Sequence, residues 1–155
     1  MTDCRICDQN TGKAEVAGGF IFQDDLWMVR HSAPPYGVAG WLTVQTRRHC
    51  PEPADFNAAE VRSFGPMLKT FEGALREISG ALRIYTAAMG ESSPHFHCHM
   101  VPRYAETPGD AKSWAVFALS REARAGKIQV DEREVERIKE AFRARFASGL
   151  PRDGV

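Results

Sequence analysis

At 155 residues, with 43% hydrophobic and 26% charged residues, the chain is one domain in length and is not a largely disordered sequence. Twenty Lys and Arg balance twenty Asp and Glu, so composition offers no basic footprint for nucleic acid or an anionic membrane surface. The longest apolar runs, such as Trp41-Leu42-Thr43-Val44, are far too short to span a bilayer, and Met1-Thr2-Asp3-Cys4-Arg5 lacks the apolar centre of a secretory signal. The expected address is cytoplasmic, where the four cysteines read as thiols or metal ligands rather than disulfides.

Cys4-Arg5-Ile6-Cys7 comes first, and Asp8-Gln9-Asn10-Thr11-Gly12 after it reads as a turn. Strands are expected at 18–22 and 26–29 around Asp24-Asp25, and a third at 41–46 after the loop Ser32-Ala33-Pro34-Pro35-Tyr36-Gly37. Asn57 and Glu60 form a capping box that opens a helix over 57–80. Its apolar positions Val61, Phe64, Leu68, Phe71, Leu75 and Ile78 step by three and four, the period of one buried face. Pro66 falls inside that pattern and is expected to kink the helix or delay its start, and Gly80 ends it. Strands at 82–89 and 95–101 follow, joined by Gly90-Glu91-Ser92-Ser93-Pro94. The stretch 112–119 reads as either a strand or an irregular lid. A second helix over 131–148, capped by Asp131 with Glu134, turns Val135, Ile138, Phe142 and Phe146 inward. Several strands around one long helix, without regular βαβ alternation, indicate an α+β fold with an antiparallel sheet.

Three of the five histidines fall within five residues, in His95-Phe96-His97-Cys98-His99. On a strand, alternate side chains share a face, so the expectation is three imidazoles together and Phe96, Cys98 and Met100 against the core. Besides a plain polar surface, two chemistries use such a row. A His-x-His pair can chelate zinc with a third ligand from elsewhere. Alternatively the middle imidazole attacks phosphorus while its neighbours orient it and hold an anionic substrate. Neutral imidazole is competent for this near pH 7, because its unperturbed pKa of about 6.5 leaves most of it deprotonated.

The run His95-Phe96-His97-Cys98-His99-Met100-Val101-Pro102-Arg103 resembles the signature of the histidine triad superfamily, whose members are nucleotide hydrolases and transferases acting at the α-phosphate of nucleotide conjugates. The resemblance spans residues 4–103, about two thirds of the chain. It implies a five-stranded antiparallel sheet with one long packed helix, followed here by a C-terminal helix. It divides the chain into a catalytic segment, 1–105, and a C-terminal extension, 106–155, of the same domain. It makes His97 the nucleophile, with His99 on the α-phosphate oxygens and the leaving group. Ser92 stands where the family often places a phosphate donor, and Glu91 replaces an amide beside it. Some expected residues are missing. Trp41 follows Gly40 where many members have a histidine. Arg30-His31-Ser32 occupies the place of a ribose-binding aspartate, leaving His31 as the candidate substrate contact.

Alone, the Cys-x-x-Cys at Cys4 and Cys7 is ambiguous between redox and zinc chemistry. Bacterial members of the resembled family bind structural zinc with an early cysteine pair, a histidine after the third strand and the first triad histidine. That set corresponds to Cys4, Cys7, His49 and His95, with Cys50 a possible substitute. Zinc there would fix His95 and leave His97 free. The resemblance also implies a nucleotide-type small-molecule substrate and a homodimer. Two other readings are a zinc hydrolase with the triad as catalytic metal ligands, and a non-catalytic nucleotide-binding module. Trp114 is the candidate aromatic contact from the extension.

Overall fold

The structure, a computed structural model, describes residues 4–151. The outer ends of the two expected segments, 1–3 and 152–155, lie outside the described residues. β1 (Phe20–Gln23), β2 (Trp27–His31), β3 (Leu42–Thr46), β4 (Arg83–Ala87) and β5 (His97–Arg103) form one antiparallel sheet in the order β1-β2-β3-β5-β4. This is the expected α+β architecture. Central β3 is buried at every position. In its register, Thr43 lies opposite both Arg30 and His99, and Gln45 opposite both Met28 and His97. Side-chain alternation therefore puts Arg30, Thr43, Gln45, His97 and His99 on one face of the sheet, and Trp27, Val29, Val44 and Cys98 on the other.

That second face is the main core, covered by α2 (Ala58–Ser79) and α4 (Glu132–Arg145). Asn57 caps α2 by accepting from Ala59 and Glu60 amides, Glu60 returns to the Asn57 amide, and Gly80 closes the helix in the left-handed region. Two expectations for this helix change. Val61 is 60% exposed, whereas Met67 and Ala74 join Phe71 and Leu75 in the core. At ~100° per residue, Val61 falls roughly 80° off the direction of Phe71, while Glu60 falls within about 20° of it. The helix also starts on time and runs through Pro66 as one element. An interior proline costs about 3 kcal/mol, which burial of the three large side chains Met67, Phe71 and Leu75, at roughly 1.5–3 kcal/mol each, exceeds. Along α4, Val135, Ile138 and Phe142 are fully buried, and Phe146 follows at its C-cap.

The other face is partly roofed by residues 109–124. The stretch 112–119 is neither a strand nor irregular. It forms the 3-10 turn Ser113–Phe117 leading into α3 (Ala118–Arg124). Val116 and Leu119, three apart, drop into a second cluster with Val38, Trp41, Val101 and Ala111. The roof sits against the loop before β3 at Gly37, where a Cβ would come within 2.8 Å of the Ser120 amide nitrogen and 2.9 Å of the Leu119 carbonyl carbon. Among the described residues, no helix is long and apolar enough to cross a membrane.

Candidate active site and metal centre

The cysteine pair opens a helix, not the expected turn: Cys4 is the N-cap of α1 (Arg5–Asn10), and its Sγ accepts from the Cys7 amide. Three residues apart on one helical turn, both sulfurs face the same way. β5 begins at His97, so His95 precedes the strand and does not share the face expected of it. Its fully buried ring turns towards α1. There His95 Nε2–H donates to the Thr46 carbonyl at 2.8 Å, leaving Nδ1 as a lone pair 3.5 Å from Cys4 Sγ and 3.4 Å from Cys7 Sγ. His49 Nδ1 lies 3.3 Å from Cys7 Sγ, and the four ligand atoms all lie within 4.8 Å of one another. Tetrahedral zinc, with bonds of ~2.3 Å to sulfur and ~2.0–2.1 Å to nitrogen, separates such atoms by roughly 3.5 Å, so the set fits the metal. The carbonyl behind His95 is the usual outer partner of a metal-bound imidazole. Burial holds His95 below the ordinary imidazole range, in the neutral form a ligand needs. Cys50 is not part of the set. It is buried with its thiol on the Glu52 carbonyl.

Two contacts hold this corner. The Asn10 side-chain amide donates to the Thr46 and Arg47 carbonyls at 2.9 and 3.0 Å. Arg48 grips the buried Glu60 carboxylate with both Nε and Nη2, at 3.2 and 2.7 Å, pinning the loop that carries His49 to the start of α2.

His97 and His99 project from the sheet face away from the main core, with ring centroids 5.4 Å apart and planes at 89°. His97 Nδ1 donates to the His95 carbonyl at 2.8 Å, so the neutral ring presents an unprotonated Nε2. For His99 the order reverses. The Trp41 indole N–H donates to His99 Nδ1 at 3.1 Å, leaving the proton on Nε2. Burial, and then the neighbouring His97, push His99 down to about 4, so it stays a neutral donor at physiological pH. Trp41 thus supplies a polar partner from the position where the resemblance expected histidine. Phe117 from the roof packs edge-on to both His99 and Trp41.

A cleft of about 230 Å³ opens beyond His99, lined by Arg30, Ser32, Trp41, Thr43, Ser120 and Arg124 among others. The arginines and Ser120 escaped the sequence reading. The only hint was Arg30 breaking the apolar run of β2, and nothing singled out Arg124 or Ser120. Ser92 and Glu91 are exposed on the loop that leads to His95. His31 does not face a substrate. It is 2% exposed, its Nδ1–H donates to the Ser32 carbonyl and its Nε2 accepts from the Gly40 amide, both at 2.9 Å. Burial pushes it to about 4, and both nitrogens serve the 32–40 loop. Trp114 is 70% exposed and stacks on Phe117.

No family model and no curated protein matches the chain. Solved structures do. A zinc-bound histidine triad family protein from Mycobacterium smegmatis is 20% identical with a TM-score of 0.66, covering 94% of this chain and 96% of that one. A Hit-like protein involved in cell-cycle regulation from Bartonella henselae, solved with an unknown ligand, is 14% identical with a TM-score of 0.65, covering 93% and 96%. Histidine triad protein blr8122 from Bradyrhizobium japonicum is 22% identical with a TM-score of 0.62, covering 81% and 87%. With its five-stranded sheet, long α2 and paired His97 and His99, the chain has the fold of the histidine triad proteins.

Proposed function

We propose that the protein is a cytoplasmic nucleotide hydrolase or nucleotidyltransferase that acts at the α-phosphate of dinucleoside polyphosphates or nucleoside phosphoramidates, with His97 as nucleophile. The observation that carries this reading is the hydrogen bond from His97 Nδ1 to the His95 carbonyl, which leaves the Nε2 lone pair exposed beside His99. Nε2 attacks phosphorus, and the bond from phosphorus to the leaving group breaks. The leaving group departs with the electron pair and takes a proton from solvent. The His95 carbonyl stabilises the positive charge that builds on the His97 ring. His99 Nε2–H donates to the developing phosphoryl charge without itself needing to titrate. Water then adds to phosphorus, the phosphorus–nitrogen bond breaks, the nucleotide is released, and neutral His97 returns once the water's proton is lost to solvent.

Cys4, Cys7, His49 and His95 would hold a structural zinc, whose role is to tie α1 to the start of β5 and so fix the carbonyl on which His97 leans. A catalytic metal on the triad is less well supported, because only His95 joins the ligand set and two cysteines with two histidines close the coordination shell. The same reading includes a homodimer through edge strand β4 and α2; Leu82 and Met89, on either side of β4, are 59% and 50% exposed.

Intact-protein mass spectrometry after mixing with adenosine phosphoramidate tests the chemistry. The expected result is a nucleotidyl adduct on the parent protein, and neither adduct nor turnover in His97→Ala, which still binds nucleotide. Parent-like turnover by His97→Ala overturns the assignment. Nucleotide binding with no turnover by the parent protein would instead identify a non-catalytic module.

A further inference from the structure

Arg30 is a half-buried cation without a carboxylate. Burial, and then the charge of Arg5, pull it below the ordinary arginine range. Its Nε donates to Gln45 Oε1 at 3.3 Å, and none of the ion pairs among the described residues involves it. Gln45 is fully buried and donates in turn to Asn10 Oδ1 at 2.6 Å, so a chain of side chains from the metal-binding helix holds one edge of the guanidinium. Among the described residues the rest of the fork has no hydrogen-bond partner, and Arg30 lines the cleft beside His99.

Arg124 enters that cleft from α3, also outside every ion pair among the described residues. Ser32, Thr43 and Ser120 add hydroxyls, and His99 adds the ring whose Nε2 carries the proton. No Asp or Glu lines the cleft; Glu15 lies on the neighbouring one, with Arg5, on the other side of Arg30. A guanidinium taken out of water without a counter-ion is costly, and its planar fork suits phosphate and carboxylate oxygens. At about 230 Å³ the space lies below the ~300 Å³ at which small-molecule pockets begin, so a compact oxyanion suits it better than a nucleoside. His97 is not among the lining residues, so whatever binds here lies past His99 from the nucleophile.

We infer that this cleft is a second anion subsite, in which Arg30 and Arg124 bind an oxyanion of the phosphate type beside His99. The inference rests on the reading of His97 and His99 as the phosphorus-reacting pair, and it names the substrate class. Either the leaving group is itself a phosphate chain, or free inorganic phosphate sits there as the acceptor in place of water.

Calorimetric titration of tripolyphosphate into zinc-loaded His97→Ala protein tests the subsite without any turnover, so it stands or falls apart from the nucleophile assignment. Adding Arg30→Gln or, on the exposed roof where folding is not at stake, Arg124→Gln is expected to weaken binding on the order of tenfold to a hundredfold. Affinity equal to that of the His97→Ala parent in both variants overturns the subsite. Two kinetic arms, run with His97 in place, tell the sources apart. If the leaving group is the anion, Arg30→Gln lowers kcat/KM for a dinucleoside polyphosphate far more than for a phosphoramidate. If free phosphate is the acceptor, phosphoramidate turnover in inorganic phosphate yields nucleoside diphosphate, and Arg30→Gln restores the monophosphate. The absence of both changes overturns the substrate assignment.

Discussion

At His97 and His99 the ring proton sits on opposite nitrogens, because one Nδ1 faces a carbonyl and the other an indole N–H. That pairs a lone-pair nucleophile with a neutral donor, and each role depends on a single partner atom. Trp41 is 5% exposed and its ring packs on Phe117, so Trp41→Phe removes the donor while keeping most of the packing. His99 is then free to take either tautomer. A hydrogen bond of this kind contributes about 0.5–1.5 kcal/mol net, so kcat is expected to fall up to about tenfold with the thermal midpoint little changed. Steady-state kinetics beside a melting curve checks this, and an unchanged kcat would show that the indole does not set the tautomer. The residue-level pattern was half legible. Alternation identified His97 and His99, but the partners that set their protons come from Trp41, just before β3, and the backbone before β5, which no local spacing exposes.

Among the elements, α3 is the one whose position matters most to the cleft, since it carries Ser120 and Arg124. It reaches the sheet only because Gly37 has no side chain at the point where the α3 backbone passes. A methyl group there meets backbone rather than a flexible side-chain end, so the helix must move. Gly37→Ala is therefore expected to cost about 1–3 kcal/mol and to raise KM several-fold, with far-ultraviolet circular dichroism retained. Denaturant unfolding and kinetics on the same preparation check it; a stable variant with parent KM would mean the roof does not shape the site. Of the elements, α2 and α4 were readable from their caps and spacing. The segment 112–119 was not, because its apolar residues follow a 3-10 turn into a short helix, too brief a pattern for either period to show. The six-residue α1 was missed for the same reason.

For the molecule as a whole, the metal ligands come from α1 and its N-cap, the loop after β3 and the segment leading into β5, so a bound zinc joins parts distant in sequence. Removing it with a chelator is expected to lower the unfolding midpoint, while activity assayed immediately on protein that is still folded persists. Immediate loss at full secondary structure would point instead to a catalytic metal. Sedimentation velocity at micromolar concentration is expected to give twice the chain mass, and a monomeric mass would remove the β4 edge as an interface.

The sequence by itself determined the α+β class, the helix caps, the His97 and His99 pair, and the residues that converge on a zinc-sized site. The class, the caps and the histidine pair are written in local periodicity or in a short, chemically distinctive spacing, whereas His49 and His95 join Cys4 and Cys7 only through the resemblance to the histidine triad family. The tertiary structure alone decided that His95 leaves the triad's face and that His31 is sealed inside. It also decided that Trp41 holds His99, and that Arg30 and Arg124, 94 positions apart, share a cleft without a carboxylate. Strand register and the docking of a distant helix bring such groups together, and neither leaves a trace in the spacing of the residues concerned.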